Sequence, residues 1–469
     1  MSDGPKLKLA EPPAVAPPQG PSVAEGLSFR GGRAADLLIV GAHVLDPRAG
    51  IDGVTDVLVR DGEIAEIGEG LKAPEGAEVI DAAGKHLFPS FVDPHVHLRT
   101  PGFEYKEDLE SGTRSAAAGG FGMILAMANT SPPVDSSGVL RSLRMRAAEE
   151  AHIPVGFSAT VTKGMAGKEL TEMADLADAG AACFTDDGLP IADAGLMRQA
   201  LQYQHLANRV IALHQEDPHL SRGGVMHEGR ISAELGLAGI PAVSESSMIA
   251  RDALLAEYEG GRIHVQHLSS IQSIEAVAAA KARGVSITTE ATPHHLTLTE
   301  EAIGDGTDAN FKMNPPLRTE ADRLALIEGL RDGTIDCIAT DHAPHAAHEK
   351  EVPFELAAMG VTGLETSFPI VSTDLVKPGA LPLALVIDRL TAGAALFDLP
   401  TPTIATGEQA NLALIDLDAT WTVGEEGYES RSANSCFAGR SLNGRTLLTL
   451  AAGIVAYRAR AFAVQEVTA

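Results

Sequence analysis

Short apolar runs alternate with stretches of helical composition through the middle of the chain. Eight runs have the length of a buried strand: Leu87–His97, Gly122–Asn129, Val155–Val161, Ala182–Asp186, Val210–His214, Ile263–His267, Val285–Glu290 and Cys337–Asp341. The intervening stretches favour helices, among them Glu107–Ala118, Ser137–Glu150, Leu170–Ala179 and Ser273–Arg283. Apolar strands alternating with helices are typical of parallel sheets covered on both faces. Eight such units predict an α/β fold, the TIM (β/α)8 barrel.

The two ends of the chain have a different pattern. Short strand-like segments are separated there by turns that contain Gly and Asp: Asp36–Val40, Val57–Val59, Glu78–Ile80, Leu412–Ile415, Trp421–Val423, Leu447–Leu450 and Gly453–Tyr457. We predict that both termini build one small β-sandwich. Three regions follow: a mobile extension at 1–35, poor in apolar surface, a composite β-sandwich at 36–89 plus 404–469, and the barrel at 90–403.

Composition narrows the class of protein. The chain of 469 residues has a formal net charge of -27, which argues against nucleic acid as a partner because phosphate binding needs a basic surface. Its three cysteines are far apart in sequence, a pattern typical of a reducing cytoplasm. We see neither an apolar stretch of membrane-spanning length nor the apolar core of a secretion signal, so a cytoplasmic enzyme without a membrane partner is expected.

Polar residues follow almost every predicted barrel strand. Each one alone could be a helix cap or a hydrogen-bonded core group, which is the commoner role of such residues. TIM barrels, however, carry their active sites at the C-terminal ends of their strands, so the whole set predicts a functional site. Its members are His95, His97, Asn129, Asp186, Asp187, His214, His267, His294, His295, Asp341 and His342.

Several of these residues suit a metal ion. His95 and His97 are two positions apart, so on a strand their side chains point the same way. Nitrogen and oxygen donors without thiolate suit Zn²⁺, with Mn²⁺ or Co²⁺ as substitutes, and a pair of ions that shares a hydroxide gives a strong nucleophile at neutral pH. The candidate ligands are His95, His97, His214, His267, Asp341 and one of the two carboxylates Asp186 and Asp187.

Longer motifs connect these positions. The sequence resembles the type I dihydroorotases of the amidohydrolase superfamily from about Asp36 to about Tyr457. The resemblance rests on Phe91–Arg99, Pro101–Asp108, Met127–Thr130, Phe184–Gly188, Glu290–His295, Lys312–Arg318, Ile338–His345 and Gly363–Thr366.

The resemblance implies a metal arrangement. One or two zinc ions per subunit are implied, with two expected: one held by His95, His97 and Asp341, the other by His214 and His267. Many relatives bridge the ions with a carboxylated lysine, whereas the strand segment Ala181–Asp187 contains no lysine. An aspartate takes that role in bacterial type I enzymes, and the motif places it at Asp187, with Asp186 as the alternative.

The resemblance also implies a substrate and a mechanism. Dihydroorotate and N-carbamoyl-L-aspartate carry carboxylates, which an arginine can bind through two parallel hydrogen bonds. The implied substrate-binding residues are His97, Arg99, Asn129, Asn314 and His345, with the backbone of Met359 and Gly360. Without a substrate, Arg99 could form a salt bridge, the asparagines could lie in turns and His345 could be solvated. Asp341 is expected to act as base and then acid.

Three positions depart from the common family pattern: Ser90, Thr100 and Ala128. Of these, Ala128 is expected to loosen the loop of Asn129. Two alternatives remain. Allantoinases and dihydropyrimidinases (hydantoinases) share the barrel but typically carry the bridging lysine. A non-catalytic scaffold for aspartate transcarbamoylase would usually have lost metal ligands. A complex with that transcarbamoylase and a homodimer are further expectations.

Overall fold

A computed structural model of the chain describes residues 22–462. In chain order the strands are β1 (Leu37–Asp46), β2 (Ile51–Arg60), β3 (Glu63–Gly68), β4 (Glu78–Asp81), β5 (His86–Pro89), β6 (Phe91–Val96), β7 (Phe121–Ala126), β8 (Val155–Ala159), β9 (Ala181–Phe184), β10 (Ile211–Leu213), β11 (Met226–His227), β12 (Gly239–Ile240), β13 (Ile263–Val265), β14 (Ile287–Ala291), β15 (Cys337–Ile338), β16 (Leu412–Thr422), β17 (Ser441–Ala451) and β18 (Ile454–Arg458).

The helices mostly fill the intervals between barrel strands. They are α1 (Leu109–Ala118), α2 (Ser137–Glu150), α3 (Met173–Asp178), α4 (Ala194–Ala207), α5 (Arg230–Leu235), α6 (Val243–Glu259), α7 (Ile271–Ala282), α8 (Pro293–Thr297), α9 (Glu320–Asp332), α10 (Ala347–Lys350), α11 (Ser367–Val371), α12 (Leu383–Thr391) and α13 (Gly393–Leu396). Side chains cap several of them: Asp108 accepts from Ser111 N at the start of α1, and Thr319 accepts from Asp322 N at the start of α9.

The predicted TIM barrel is confirmed. Strands β6–β10 and β13–β15 form one parallel sheet in the order β15-β14-β13-β10-β9-β8-β7-β6. The ring closes where Val96 pairs with His342, and His97 N donates to His342 O at 2.9 Å. Strands β6–β10 and β13 are buried along their whole length, which explains why the sequence shows continuous apolar runs rather than alternation. All eight predicted runs overlap barrel strands.

Both ends of the chain build a second sheet, as predicted. Its order is β18-β17-β16-β5-β1-β2-β3, with β4 paired to β1. The sheet folds over its own apolar core, because β3 returns to the segment before β16: Ile64 N donates to Glu408 O at 2.8 Å, and Ala410 N donates to Gly62 O at 2.9 Å.

The predicted mobile extension lies outside the described residues up to position 21. Its remainder, 22–35, contacts both sheets. Ser28 exchanges two backbone hydrogen bonds of 3.0 Å with Val155 of β8, and Ala35 N donates to Gly453 O at 2.9 Å. Val23 is buried. Residues 22–35 therefore join the barrel to the terminal sheet.

Candidate metal centre and substrate cavity

Four histidines and two aspartates meet at the C-terminal mouth of the barrel. His95 lies on β6 and His97 directly after it, while His214 and His267 follow β10 and β13. Asp187 and Asp341 follow β9 and β15. Parallel strands end at one edge of the barrel, so residues far apart in sequence converge there.

Asp187 occupies the centre of this group. Its carboxylate oxygens lie 3.5 Å from His95 Nε2 and 3.3 Å from His97 Nε2. They also lie 3.9 Å from His214 Nδ1 and 3.9 Å from His267 Nε2. One carboxylate therefore faces all four imidazoles.

Asp186 points away from the histidines. Its carboxylate accepts the Val161 N–H at 2.8 Å and the Thr162 N–H at 3.1 Å, and it also accepts the Thr162 hydroxyl. These bonds tie the loop after β8 to the loop after β9. Of the two adjacent carboxylates, Asp187 alone faces the imidazoles. Asp186 accepts hydrogen bonds from the backbone of the loop after β8 instead.

Asp341 closes the group from the last barrel strand. Its Oδ1 lies 3.1 Å from His97 Nε2 and 3.5 Å from His95 Nε2. Asp341 and His267 both have positive φ, +46° and +32°. Non-glycine residues rarely occupy this region, and strained backbone of this kind clusters at functional sites.

A second layer of acceptors orients the imidazoles. Glu290 Oε1 lies 2.6 Å from His95 Nδ1, Asn129 Oδ1 lies 2.9 Å from His97 Nδ1, and Glu216 Oε2 lies 3.2 Å from His214 Nε2. Such partners fix which ring nitrogen is free for a metal. Our sequence interpretation missed Glu290 and Glu216. The available signals were the position of Glu290 at the end of an apolar run and of Glu216 two residues after His214.

The carboxylates and imidazoles of the site shift one another's pKa values. Burial opposes ionisation of Asp187, but the positive charge of His95 outweighs it and holds the pKa of Asp187 well below its usual range. Burial likewise opposes ionisation of Asp341, yet His95 and His97 lower its pKa to about 2. Burial and the charges of His214 and His95 lower the pKa of His267 to about 3. In return, Glu290, Asp187 and Asp341 outweigh burial and raise the pKa of His95 well above its usual value, and Glu216 and Asp187 raise the pKa of His214. Ionised carboxylates and neutral imidazoles bind metals, so the two carboxylates and His267 are in the metal-binding form, whereas a metal competes with a proton at His95 and His214.

The donor set fits divalent ions. His95 Nε2 is buried without a hydrogen-bond partner, although it faces two carboxylates. Three groups among the described residues have potential ligand atoms within 4.8 Å of one another, and two of them lie at the mouth: His95 with His97 and Asp341, and His95 with Asp187 and His267. The third, His264 with Glu290 and Cys337, lies outside the cavity lining. Buried polar atoms are normally paired, so an unpaired nitrogen that faces two carboxylates fits a metal ligand. The donors are nitrogen and oxygen only, as zinc, manganese and cobalt accept.

A cavity of about 270 Å³ opens onto these residues. It is lined by His97, Arg99, Asn129, Asp187, Gly188, His214, His267, Asn314, Asp341, Ala343, His345, Met359 and Gly360. Every residue predicted to bind substrate lines it. Of the predicted metal ligands only His95 is absent from the lining, because it is fully buried below.

Arg99 and His345 form one wall of the cavity. Arg99 Nε donates to Pro344 O at 3.1 Å, and its Nη2 lies 3.5 Å from His345 Nε2. Among residues 22–462, no carboxylate oxygen lies within 4.0 Å of the guanidinium. The alternative role of Arg99 in a salt bridge therefore has no partner in the described part of the chain.

The two predicted asparagines make different contacts. Asn129 Oδ1 accepts a hydrogen bond from His97 Nδ1 at 2.9 Å, and its Nδ2 donates to Asp187 Oδ2 at 3.4 Å. Its loop is bonded closely, since Ala128 O accepts from Thr130 N at 2.9 Å and from Val134 N at 3.1 Å. Asn314 Nδ2 instead donates to Glu216 Oε2 at 2.6 Å, so it also supports the partner of His214.

The backbone of Met359 and Gly360 is bonded within the protein. Met359 O lies 2.9 Å from His345 Nε2, and Gly360 N donates to Lys312 O at 2.9 Å. These two residues therefore contribute the shape of the wall, and their positions depend on His345 and Lys312.

Comparison with known proteins gives a consistent result. A protein-family model described as Dihydro-orotase-like matches residues 84–273. The chain is 46% identical over 423 residues to a protein named Dihydroorotase from Syntrophotalea carbinolica, covering 90% of this chain and 99% of that protein. It is 45% identical over 425 residues to a Dihydroorotase from Geobacter sp. (strain M21), covering 90% and 100%.

Solved structures share the architecture. An L-hydantoinase (dihydropyrimidinase) from Arthrobacter aurescens is 25% identical with a TM-score of 0.78, covering 90% of this chain and 96% of that one. A D-hydantoinase (dihydropyrimidinase) from Thermus sp. is 28% identical with a TM-score of 0.76, covering 90% and 95%. Each similarity covers nine-tenths of this chain, and each protein has a name that denotes cyclic amide chemistry.

Proposed function

The chain belongs to the dihydroorotase family, and from that premise we propose how its site works. The reaction is the reversible hydrolysis of L-dihydroorotate to N-carbamoyl-L-aspartate, which runs as a cyclisation in de novo pyrimidine (UMP) biosynthesis. The observation that supports this substrate is the position of Arg99 on the cavity wall. Among the described residues, no carboxylate oxygen lies within 4.0 Å of its guanidinium. Its position beside the donor set supports a substrate that carries a carboxylate next to the reacting amide.

We propose that two zinc ions bind at the mouth. His95, His97 and Asp341 would hold one, His214 and His267 the other, with Asp187 between them. When bound, divalent ions lower the pKa of water and polarise the amide carbonyl. Metal analysis of the purified protein measures the number of zinc ions per chain. A value of one would contradict the second ion, at His214 and His267.

The side chains around the cavity divide the remaining work. Arg99 binds the substrate carboxylate through its guanidinium, and Asn129 and His345 complete that subsite. Asn314 lies on the ring side of the cavity and supports Glu216. Asp341 accepts a proton from the attacking water and delivers it to the ring nitrogen as the carbon–nitrogen bond breaks. In the cyclisation Asp341 takes that proton back from the carbamoyl nitrogen.

The experiment compares four ring substrates on the zinc-loaded enzyme. We expect kcat/KM for L-dihydroorotate to exceed that for hydantoin, dihydrouracil and allantoin by about 100-fold or more, because a subsite built for a polar group rejects analogues that lack it. Arg99→Met should raise KM for dihydroorotate and leave the uncharged rings unaffected. Faster turnover of an uncharged ring would favour the hydantoinase reading over this one.

Three further expectations remain proposals. We propose a homodimer, a cytoplasmic location and a complex with aspartate transcarbamoylase. The helices of residues 22–462 include none with the length and apolar character that a bilayer crossing requires. Gel filtration of the protein alone and with the transcarbamoylase tests both assemblies. A monomer that elutes separately from the transcarbamoylase would contradict them.

A further inference from the structure

Lys350 is a buried cation that the proposed reaction does not use. It ends α10, and only 7% of its surface is exposed. Its Nζ donates to three backbone carbonyls: Lys312 O at 3.1 Å, Ala358 O at 2.9 Å and Gly360 O at 2.9 Å. In the part of the chain that is described, no carboxylate oxygen approaches it within 4.0 Å. Its hydrogen bonds are satisfied while its charge is not neutralised, which is costly for a buried group.

Asn434 reaches the same carbonyl from the terminal sheet. It lies between β16 and β17, and it is buried. Its Nδ2 donates to Gly360 O at 3.1 Å and to Ala343 O at 3.2 Å, while its Oδ1 accepts from His345 N at 3.0 Å. We call Lys350 and Asn434 together the carbonyl clamp. It joins three segments that line the substrate cavity.

The clamp acts on a close-packed part of the cavity wall. Gly360 has a φ of +131°, and a Cβ at this position would lie 2.7 Å from Ala343 Cβ and 3.2 Å from His345 Nε2. The glycine therefore lets the backbone pass directly against His345. Gly360 O accepts hydrogen bonds from the clamp, and Gly360 N donates to Lys312 O. The position of this wall therefore depends on the hydrogen bonds at both backbone atoms of Gly360.

The charge of Lys350 also acts at the cavity. Burial and then the positive charges of Arg99, Lys106 and Lys350 lower the pKa of His345 to about 3. Lys106 is paired with Glu349 at 2.6 Å, so Arg99 and Lys350 supply the charge that no carboxylate within 4.0 Å offsets among residues 22–462. An anionic substrate would supply that missing partner.

We propose that Lys350 is a positioning residue for substrate binding: with Asn434 it fixes the Met359–Gly360 wall, and its charge favours a carboxylate in the cavity. Lys350 touches no substrate atom, because its three donors are used by the backbone. This inference rests on the proposed function for the identity of the substrate. The geometry of the clamp does not depend on that identity.

The first test compares Lys350→Met and Lys350→Arg with Lys281→Met. Lys281 is a matched control, a partly buried lysine on the outer helix α7 that bonds Gly333 O and Asp336. We expect Lys350→Met to raise KM for dihydroorotate about tenfold, with kcat and zinc content changed little. Lys350→Arg should recover part of the affinity, and Lys281→Met should lower Tm without changing KM.

The pH profile separates charge from packing. Burial, followed by repulsion from Lys312, lowers the pKa of Lys350 to about 8, against the opposing influence of Cys436, Asp308 and Glu349. The ammonium is present below that pH and is lost above it. Wild-type KM should therefore rise above about pH 8, Lys350→Arg should move this rise to higher pH, and Lys350→Met should lack it, since guanidinium stays charged.

Hydrogen exchange provides a readout that needs no substrate. Amides of residues 358–362 should exchange faster in Lys350→Met and in Asn434→Ala than in wild type. In Lys281→Met their exchange rates should equal those of the wild type. Unchanged exchange together with a KM and pH profile like those of the wild type would overturn the proposal. If the wild type itself does not hydrolyse dihydroorotate, the proposed function fails, and hydrogen exchange still decides the clamp.

Discussion

Glu290 connects the residues of both proposed metal positions. Its Oε1 lies 2.6 Å from His95 Nδ1 and accepts the backbone N–H of His267 at 3.1 Å, while its Oε2 lies 3.0 Å from His264 Nε2. Burial opposes its ionisation, but His95 and His264 outweigh this and strongly lower its pKa. One ionised carboxylate thus supports a ligand from each side of the centre.

Replacement of Glu290 by Gln should weaken metal binding. An amide keeps the size of the side chain but loses the charge, and only one of its two polar atoms accepts. We expect zinc affinity to fall by about 10- to 100-fold, as for other partners of metal-bound histidines, measured by competition with a chromophoric chelator. Glu365→Gln, a carboxylate that accepts Glu429 N and Ser430 N away from the centre, is the control. Equal affinities in both variants would contradict the role of Glu290.

Asp186 and Asp187 form a matched pair of adjacent carboxylates. Because Asp187 faces four imidazoles, Asp187→Asn should remove most of the bound metal. Asp186→Asn should keep the metal but lower Tm, since its bonds to Val161 N and Thr162 N would be weakened. Metal content and thermal unfolding of both variants check this. Metal loss in Asp186→Asn alone would reverse the assignment.

Asp341 is the residue proposed to transfer the proton. Asp341→Asn should lower kcat about a thousandfold, because general acid–base catalysis contributes on this scale, while His95, His97 and the other ligands keep much of the zinc. Steady-state kinetics and metal analysis on the same preparation measure both. Near-normal turnover would refute the proton-transfer role.

At the level of elements, the barrel could be predicted because its strands are buried on both faces. Each such strand appears in the sequence as an apolar run, and the candidate metal ligands lie at or just after the end of the run. The run Leu87–His97 predicts one strand, whereas the structure divides it into β5 and β6. Ser90 N donates to Asn411 O in the terminal sheet, and Phe91 N donates to Gly120 O in the barrel, so the backbone changes partners within an unbroken apolar run.

The last barrel strand is shorter than its run. The pattern predicts a strand through Asp341, but β15 ends at Ile338, and at Asp341 a positive φ takes the backbone out of the extended conformation. Lys350 could not be assigned from sequence, because its partners come from other loops, and the sequence signals of Glu290 and Glu216 do not name the histidines that they contact. The positions of the metal ligands can be predicted because they follow the ends of the strands. Hydrogen bonds to those ligands, such as the one between Glu290 and His95, cannot, because they form between segments that are distant in sequence.

The segment 22–35 allows a prediction about truncation. A chain that begins at residue 22 keeps the bonds of Ser28 to Val155 and of Ala35 to Gly453 and serves as the reference. A chain that begins at residue 32 loses Val23 and Ser28, and its Tm should fall below that of the reference by about 1 °C per kcal/mol lost. Calorimetry of both chains measures this. Equal stability would show that the segment only rests on the barrel.

At the level of the whole molecule, the subsite around His345 differs in charge from the chain. The chain carries -27, yet Arg99 and Lys350 both act on His345. A substrate with carboxylates is repelled by the net charge of the chain and attracted by this subsite. Added salt screens exposed charges more than buried ones, so moderate salt should weaken the repulsion before it weakens the subsite.

Metal removal should destabilise the entire barrel. His214 Nδ1 and His267 Nε2 lie 3.0 Å apart, and His95 Nε2 is buried without a hydrogen-bond partner. The ligands come from strands around the ring, so an ion that binds them stabilises the closed barrel by about 4 kcal/mol at a thousandfold excess over Kd. A chelator should therefore lower Tm of the wild type clearly and leave Asp187→Asn, which already lacks metal, unchanged. If the chelator abolished activity while Tm stayed constant, the ions would be bound by a preformed mouth and would contribute nothing to the fold.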